Sequence, residues 1–227
     1  MNRLWKSCLA SSFILTMSVS GSGQKLSGEE GLPELKITLY VSNYARVTGP
    51  VVAQARREVV RIYRAAGVEV GWVDCPPAVE QSDHYPACRP TDSRRDWIAV
   101  RLISEVMFSR LRLRSSTLGL AALPGEGGFG QLASVCSECL ERLFEDKRYP
   151  YGTILGGLMA HEIGHLLLAT MRHSAANLMR SPWSRRDLTY AARGQMLFTA
   201  NQAGRIQAEV RQRMRSNVRT ADQLARR

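Results

Sequence analysis

The hydrophobic pattern of the chain changes period several times. Over Leu35–Ser42, LKITLYVS, apolar and β-branched residues alternate with polar ones, as in a strand with one buried face. Across residues 50–66 the period lengthens. Val52, Ala55, Val59, Ile62, Tyr63 and Ala66 recur at helical spacing, Pro50 stands at the N-terminal edge, and Gly67 follows the last of them. Val68–Val73 returns to strand character, so a parallel strand pair joined by a right-handed helical crossover is expected. Residues 74–96, with Pro76, Pro77 and Pro86, read as a polar loop, and Trp97–Ile103, WIAVRLI, as a buried strand. Over 104–117, Arg110, Arg112 and Arg114 alternate with Leu111 and Leu113, which suits a solvated strand face or a basic loop. Apolar Leu118–Leu123 and strand-like Gln131–Val135 flank Pro124–Gly130, PGEGGFG, a turn-rich loop joining an edge strand to its neighbour. Its glycines match no phosphate-binding pattern.

The second half reads as helical. Cys139–Asp146 is one helix, and Tyr149-Pro-Tyr-Gly is a break. Thr153 is the candidate N-cap of a helix whose Ile154, Leu155, Leu158, Met159, Ile163, Leu166, Leu167 and Leu168 leave almost no polar face, so it should be central and buried. Gly156, Gly157 and Gly164 weaken helix propensity there but let neighbouring backbone approach. After Trp183 the pattern is helical with an interruption near Gly194, and Thr199–Gln202 resembles a capping box. From Arg211 onward arginine dominates and a fraying tail is expected. The fold class is α+β: a twisted mixed sheet of about 4–5 strands, an N-terminal helix, a central apolar helix, and a mainly helical C-terminal region.

At 227 residues and 44% hydrophobic content, one domain over residues 35–215, preceded by a targeting segment and followed by a basic tail at 216–227, accounts for the chain. Arg3 and Lys6 precede an apolar, small-residue run from Ser7 to Val19, and Ser18–Gly21 offers a cleavage region. Residues 1–21 therefore read as a cleaved secretory signal peptide and 22–34 as a flexible lead-in, with no transmembrane helix in the mature chain. The apolar run is short for a retained anchor. Cys8 would leave with the leader. Cys75, Cys88, Cys136 and Cys139 remain, an even number in a chain bound for an oxidising compartment, and disulfides follow. Three pairings are open; Cys75 with Cys88 and Cys136 with Cys139 are the local choice. Cys136-Ser-Glu-Cys139, between a strand and a helix, also fits a redox CxxC. A net charge of +11, mostly arginine, would attract anionic partners, among which an envelope surface is favoured. No nucleic-acid motif or aromatic platform accompanies the charge, so nucleic acid is not an expected partner.

Candidate chemistry is concentrated in residues 157–183, which hold three of the four histidines. His161 and His165 are one helical turn apart on one face and can close on a single Zn²⁺. Glu162 between them is placed to act as general base on a metal-bound water without being a ligand. His173 is the candidate third ligand, but a straight helix would carry it about 12 Å along the axis. The helix must therefore stop between Ala169 and Arg172 and the chain double back, although no glycine or proline marks the place. Asp187 is the alternative ligand. His84, alone in the proline-rich loop, reads as a solvated residue.

HEIGHLLLATMRHS followed by Leu178-Met179 resembles the zinc signature of the metzincin clan of metallopeptidases, HExxHxxGxxH with a later methionine turn. It departs from that signature in placing His173 two residues late and in lacking the glycine. The longer pattern, ending in Trp183, is similar to uncharacterised secreted bacterial proteins described as predicted zinc peptidases. The resemblance implies a metzincin-like fold, one Zn²⁺ held by His161, His165 and His173, Glu162 as catalytic base, and Met179 as a hydrophobic floor beneath the metal. It also implies a peptide or protein substrate. The expected function is a secreted or periplasmic zinc-dependent endopeptidase. The alternatives are a non-catalytic zinc-binding envelope protein with the same ligands, and an extracytoplasmic thiol oxidoreductase using Cys136 and Cys139. No oxyanion-stabilising side chain stands out besides the metal itself; Tyr190 is a candidate that no spacing in the sequence singles out.

Overall fold

The structure, a computed structural model, describes residues 34–77, 85–90, 94–114, 117–125, 128–143 and 150–225. The expected leader, Cys8 and His84 lie outside the described residues.

Strand β1 (Lys36–Asn43) leads into helix α1 (Gly49–Ala65), which returns the chain to β2 (Glu69–Cys75) parallel to β1. Trp97–Ile103 forms β3, parallel to β1 on its other side. A short helix α2 (Glu105–Ser109) follows, its first turn capped by Ser104, whose hydroxyl accepts from the Met107 N–H. The segment read as a basic strand face or loop therefore begins as a helix, and Arg110, Arg112 and Arg114 beyond it are exposed. Strands β4 (Gly119–Ala122) and β5 (Leu132–Cys136) pair antiparallel, and β5 runs parallel to β3. The sheet order is β2-β1-β3-β5-β4, a mixed sheet of five strands with β4 outermost at one end.

Helices α3 (Ser137–Leu143), α4 (Tyr151–Leu168), α5 (Arg185–Ala192) and α6 (Ala200–Ala225) complete the fold. From Ile154 to Leu168 every residue of α4 is buried, as its continuous apolar pattern requires. It packs chiefly on α1. A Cβ on Gly156 would stand 2.5 Å from the Ala55 carbonyl oxygen, so only glycine permits this approach. The Tyr63 hydroxyl crosses the same seam to donate to the Ala160 carbonyl at 3.0 Å. Thr153 is not the N-cap. The helix starts three residues earlier, with Pro150 as the N-cap, because the Pro150 carbonyl accepts from the Thr153 N–H, and the Thr153 hydroxyl instead accepts from Gln54 of α1.

The C-terminal segment also departs from expectation. Helix α6 continues through the arginine-rich stretch to Ala225. Its anchor is Arg213, fully buried, which donates to the side chain of Glu209 and to the carbonyls of Gly130 and Leu166. These acceptors replace water around the guanidinium, which a count of apolar residues does not reveal. Among the described residues, no helix is long and apolar enough to cross a membrane.

Candidate metal centre

Helix α4 ends at Leu168. Ala169 then takes a left-handed conformation (φ 47°, ψ 47°), and the N–H groups of Ala169 and Thr170 both close on the His165 carbonyl. This is the expected break, made by alanine where glycine is the usual residue. Helix α6 supports the turn from outside. Arg205 donates from Nη2 to the Leu168 carbonyl at 2.7 Å, satisfying an acceptor left over at the helix end. Beyond the turn the Ser174 N–H donates to the Met179 carbonyl, and the Leu178 N–H to the Leu197 carbonyl. Gln202 completes the brace. Its side-chain oxygen accepts from the Thr199 N–H in the expected capping arrangement, while its amide nitrogen donates to the Ser174 hydroxyl at 3.4 Å.

The reversal brings His173 back to the two helical histidines. The Nε2 atoms of His161 and His165 are 3.1 Å apart, and those of His165 and His173 3.2 Å apart. Behind this cluster, Nδ1–H of His161 donates to the Leu178 carbonyl and Nδ1–H of His165 to the Thr170 carbonyl, each at 2.7 Å. With both Nδ1 atoms engaged as donors, the two Nε2 atoms face each other as lone pairs. Burial pushes His161 down to about 3 and lowers His165, and desolvation also lowers His173, although that ring is exposed. A proton on His173 could serve His165, but none would then relieve the His161–His165 contact. One cation would satisfy all three. Tetrahedral zinc with Zn–N bonds of ~2.0–2.1 Å separates its nitrogen ligands by about 3.3–3.4 Å, close to these two spacings, and all three ligand atoms lie within 4.8 Å of one another, so the residues fit this ion.

Glu162 is buried beside the cluster. It faces the start of β4, where a Cβ on Gly119 would come within 2.5 Å of its Cγ and Cδ. Gly119 thus makes room for the carboxylate. Burial pushes Glu162 up to about 8, and a cation held by the adjacent imidazoles acts in the opposite sense. Met179 is buried with its sulfur against Gly164, the residue preceding His165. The Trp183 ring lies 6.0 Å from the His161 ring, edge to face, and covers Gly157; its indole nitrogen is buried without a partner among the described residues.

Asp187, the alternative ligand, is occupied elsewhere. It forms a capping box with Ser184 at the start of α5 and an ion pair with Arg180 at 3.4 Å. Burial alone would raise its pKa, but the hydrogen bonds from Ser184 and the nearby Arg180 and Arg186 charges bring it below the ordinary carboxylate value. The Tyr190 hydroxyl accepts from Arg186. Two disulfides are present, Cys75–Cys88 and Cys136–Cys139, matching the local pairing. Cys136 and Cys139 are buried against Ile103 and Phe108, a setting of structural rather than reactive cysteines.

The sequence reading missed Gly119, Arg205, Arg213 and the two backbone carbonyls behind the imidazoles. Only Gly119 left a local signal, a glycine opening a short apolar strand.

No family model matches the chain, and no curated protein matches it. Among solved structures, archaemetzincin from Methanopyrus kandleri aligns with 80% of this chain and 99% of its own, at 14% identity and a TM-score of 0.47. Metalloproteinase-II from Bacteroides fragilis aligns with 80% of this chain at 15% identity and a TM-score of 0.45, and the match spans 55% of that protein.

Proposed function

We propose that this protein is a zinc-dependent metallopeptidase, with His161, His165 and His173 holding one Zn²⁺ and Glu162 as general base. The supporting observation is the convergence of three imidazole Nε2 atoms, two of them lone pairs facing each other across 3.1 Å with their Nδ1 atoms already bonded behind. Zinc bound there would supply a Lewis acid, lowering the pKa of water towards ~7 and polarising a carbonyl.

The protein's own groups do the rest. The carbonyls of Leu178 and Thr170 fix ring orientation and keep the lone pairs forward. Glu162 accepts the proton of the attacking water at a carboxylate oxygen and passes it to the departing amine. The turn supported by Arg205 and Gln202 holds His173 in place. As an outer strand beside Glu162, β4 offers backbone groups to an extended peptide, a mode of holding substrate that reads little sequence.

Two disulfides support a site of action outside the cytoplasm, secreted or periplasmic, after loss of a leader at 1–21. The charge of +11 suits an anionic envelope surface as a further partner. N-terminal sequencing of the exported chain tests the leader; an intact Met1 would refute it.

The deciding experiment measures zinc per chain in purified, oxidised protein and casein cleavage by the wild type and Glu162→Gln. One zinc in each, with cleavage reduced about 10²-fold or more by the substitution, is the expected result. Zinc without wild-type cleavage would make this a non-catalytic zinc-binding protein. Absence of zinc, with insulin reduction that depends on Cys136, would make it a thiol oxidoreductase.

A further inference from the structure

The segment that follows the histidine helix is strongly one-signed. Residues 169–199 carry Arg172, Arg180, Arg185, Arg186 and Arg193 against a single acid, Asp187. That acid is buried, bonded to Ser184 and paired with Arg180, and its charge is also felt by Arg186, which leaves the segment with a net excess of four positive charges. Three of the arginines gather at α5, where Arg185 and Arg186 in its first turn and Arg193 just past its end, with Thr189 and Tyr190, line an open cleft of about 400 Å³. No carboxylate among the described residues lies within ion-pair distance of these three, and all three are exposed.

The cleft is partly organised in advance. Arg186 donates from Nε to the Tyr190 hydroxyl at 3.0 Å, and its guanidinium lies 5.4 Å over the Tyr190 ring. Both Nη groups remain in the fork geometry that suits a carboxylate. The cleft is also close to the candidate metal centre. Helix α5 begins two residues after Trp183, whose ring is 6.0 Å from that of His161. Two residues span at most about 7 Å and the Trp183 side chain reaches about 5 Å more, so Arg185, at the start of α5, stands within roughly 18 Å of the His161 ring, about five or six residues of an extended peptide.

We infer that the polypeptide taken by this site is acidic: aspartate or glutamate side chains several residues along the chain from the bond to be cleaved dock on Arg185, Arg186 and Arg193. This rests on the peptidase reading and names its substrate class. A polypeptide, rather than a lipid headgroup or free phosphate, is the occupant because the helix that carries the cleft starts two residues after Trp183, whose ring packs on His161, within the span of one extended chain lying in the candidate site.

Binding separates this inference from catalysis. Fluorescence anisotropy is measured with labelled peptides of equal length, one flanked by glutamates, one neutral and one flanked by lysines, on zinc-loaded Glu162→Gln protein that cannot turn them over. The acidic peptide should bind about tenfold tighter than the neutral one at low ionic strength, and the lysine peptide more weakly than either. Reversing Arg185, Arg186 and Arg193 to glutamate should remove the preference, and their replacement by glutamine should reduce it. Reversing Arg57, Arg110 and Arg114, an equal change of net charge elsewhere, should leave most of it. Thermal melting and zinc content of each variant establish that it is folded. Equal binding of acidic and neutral peptides, or equal loss from both reversals, would overturn the inference. So would full displacement by inorganic phosphate, or a preference seen only for anionic phospholipid vesicles. Selective acidic-peptide binding by a protein whose wild type cleaves nothing would sink the peptidase reading and leave the acidic partner standing.

Discussion

At the scale of single residues, the centre depends on what stands behind each functional group. A methyl at Gly119 would overlap the Glu162 carboxylate. Gly119→Ala should therefore lower casein cleavage more than about tenfold while zinc content stays at the wild-type level, because the base moves and the ligands do not. Loss of zinc in parallel with activity would show the glycine to be structural instead. Asp187 makes a second residue-scale case. Its folded-state pKa is below the ordinary value, so its stabilisation is present above about pH 4 and is lost as pH falls through the folded value. Asp187→Asn should lower the melting temperature at pH 7, by an amount matching about 1 kcal/mol for a lost cap, and the gap should close in strong acid. A gap that persists unchanged at low pH would remove the carboxylate from the account.

At the scale of elements, the reversal after α4 decides whether three histidines make one centre. Ala169 holds a left-handed conformation that costs an L-residue roughly 1–2 kcal/mol. Ala169→Gly should raise urea resistance by about 1 kcal/mol with zinc stoichiometry unchanged; a loss of stability would mean that the turn is held differently. Arg205→Met removes the donor to the Leu168 carbonyl and should weaken zinc affinity about tenfold or more, read by competition with a chromophoric chelator. Unaltered affinity would count against the brace. The sequence announced much of this. The His161–His165 spacing, the apolar α4 and the need for a break near residue 169 are local properties of the helical period. The strand, helix, strand opening was legible for the same reason, since its alternation and its 3.6 period are uninterrupted. What remained hidden is non-local: Leu178 and Thr170 act through carbonyls, which every residue has, and Arg205 and Arg213 act from α6, distant in sequence. Thr153 misled because a proline three residues earlier already supplied the carbonyl that begins the helix.

At the scale of the whole molecule, the ion would tie the last turn of α4 to the returning chain, so its removal should be felt as lost stability. Chelator-treated protein should melt at a lower temperature and recover on zinc addition, the gain rising with free zinc to about 2.7 kcal/mol at 100 times the dissociation constant. An indifferent melting temperature would speak against a bound ion. The backing of the histidines from far downstream has a temporal consequence as well. Both helical imidazoles exist once residue 165 is made, yet the carbonyl that aims His161 arrives with Leu178 and the guanidinium that closes the turn with Arg205. In a polypeptide emerging N-terminus first, the three-histidine site therefore stays incomplete until the final quarter of the chain is through.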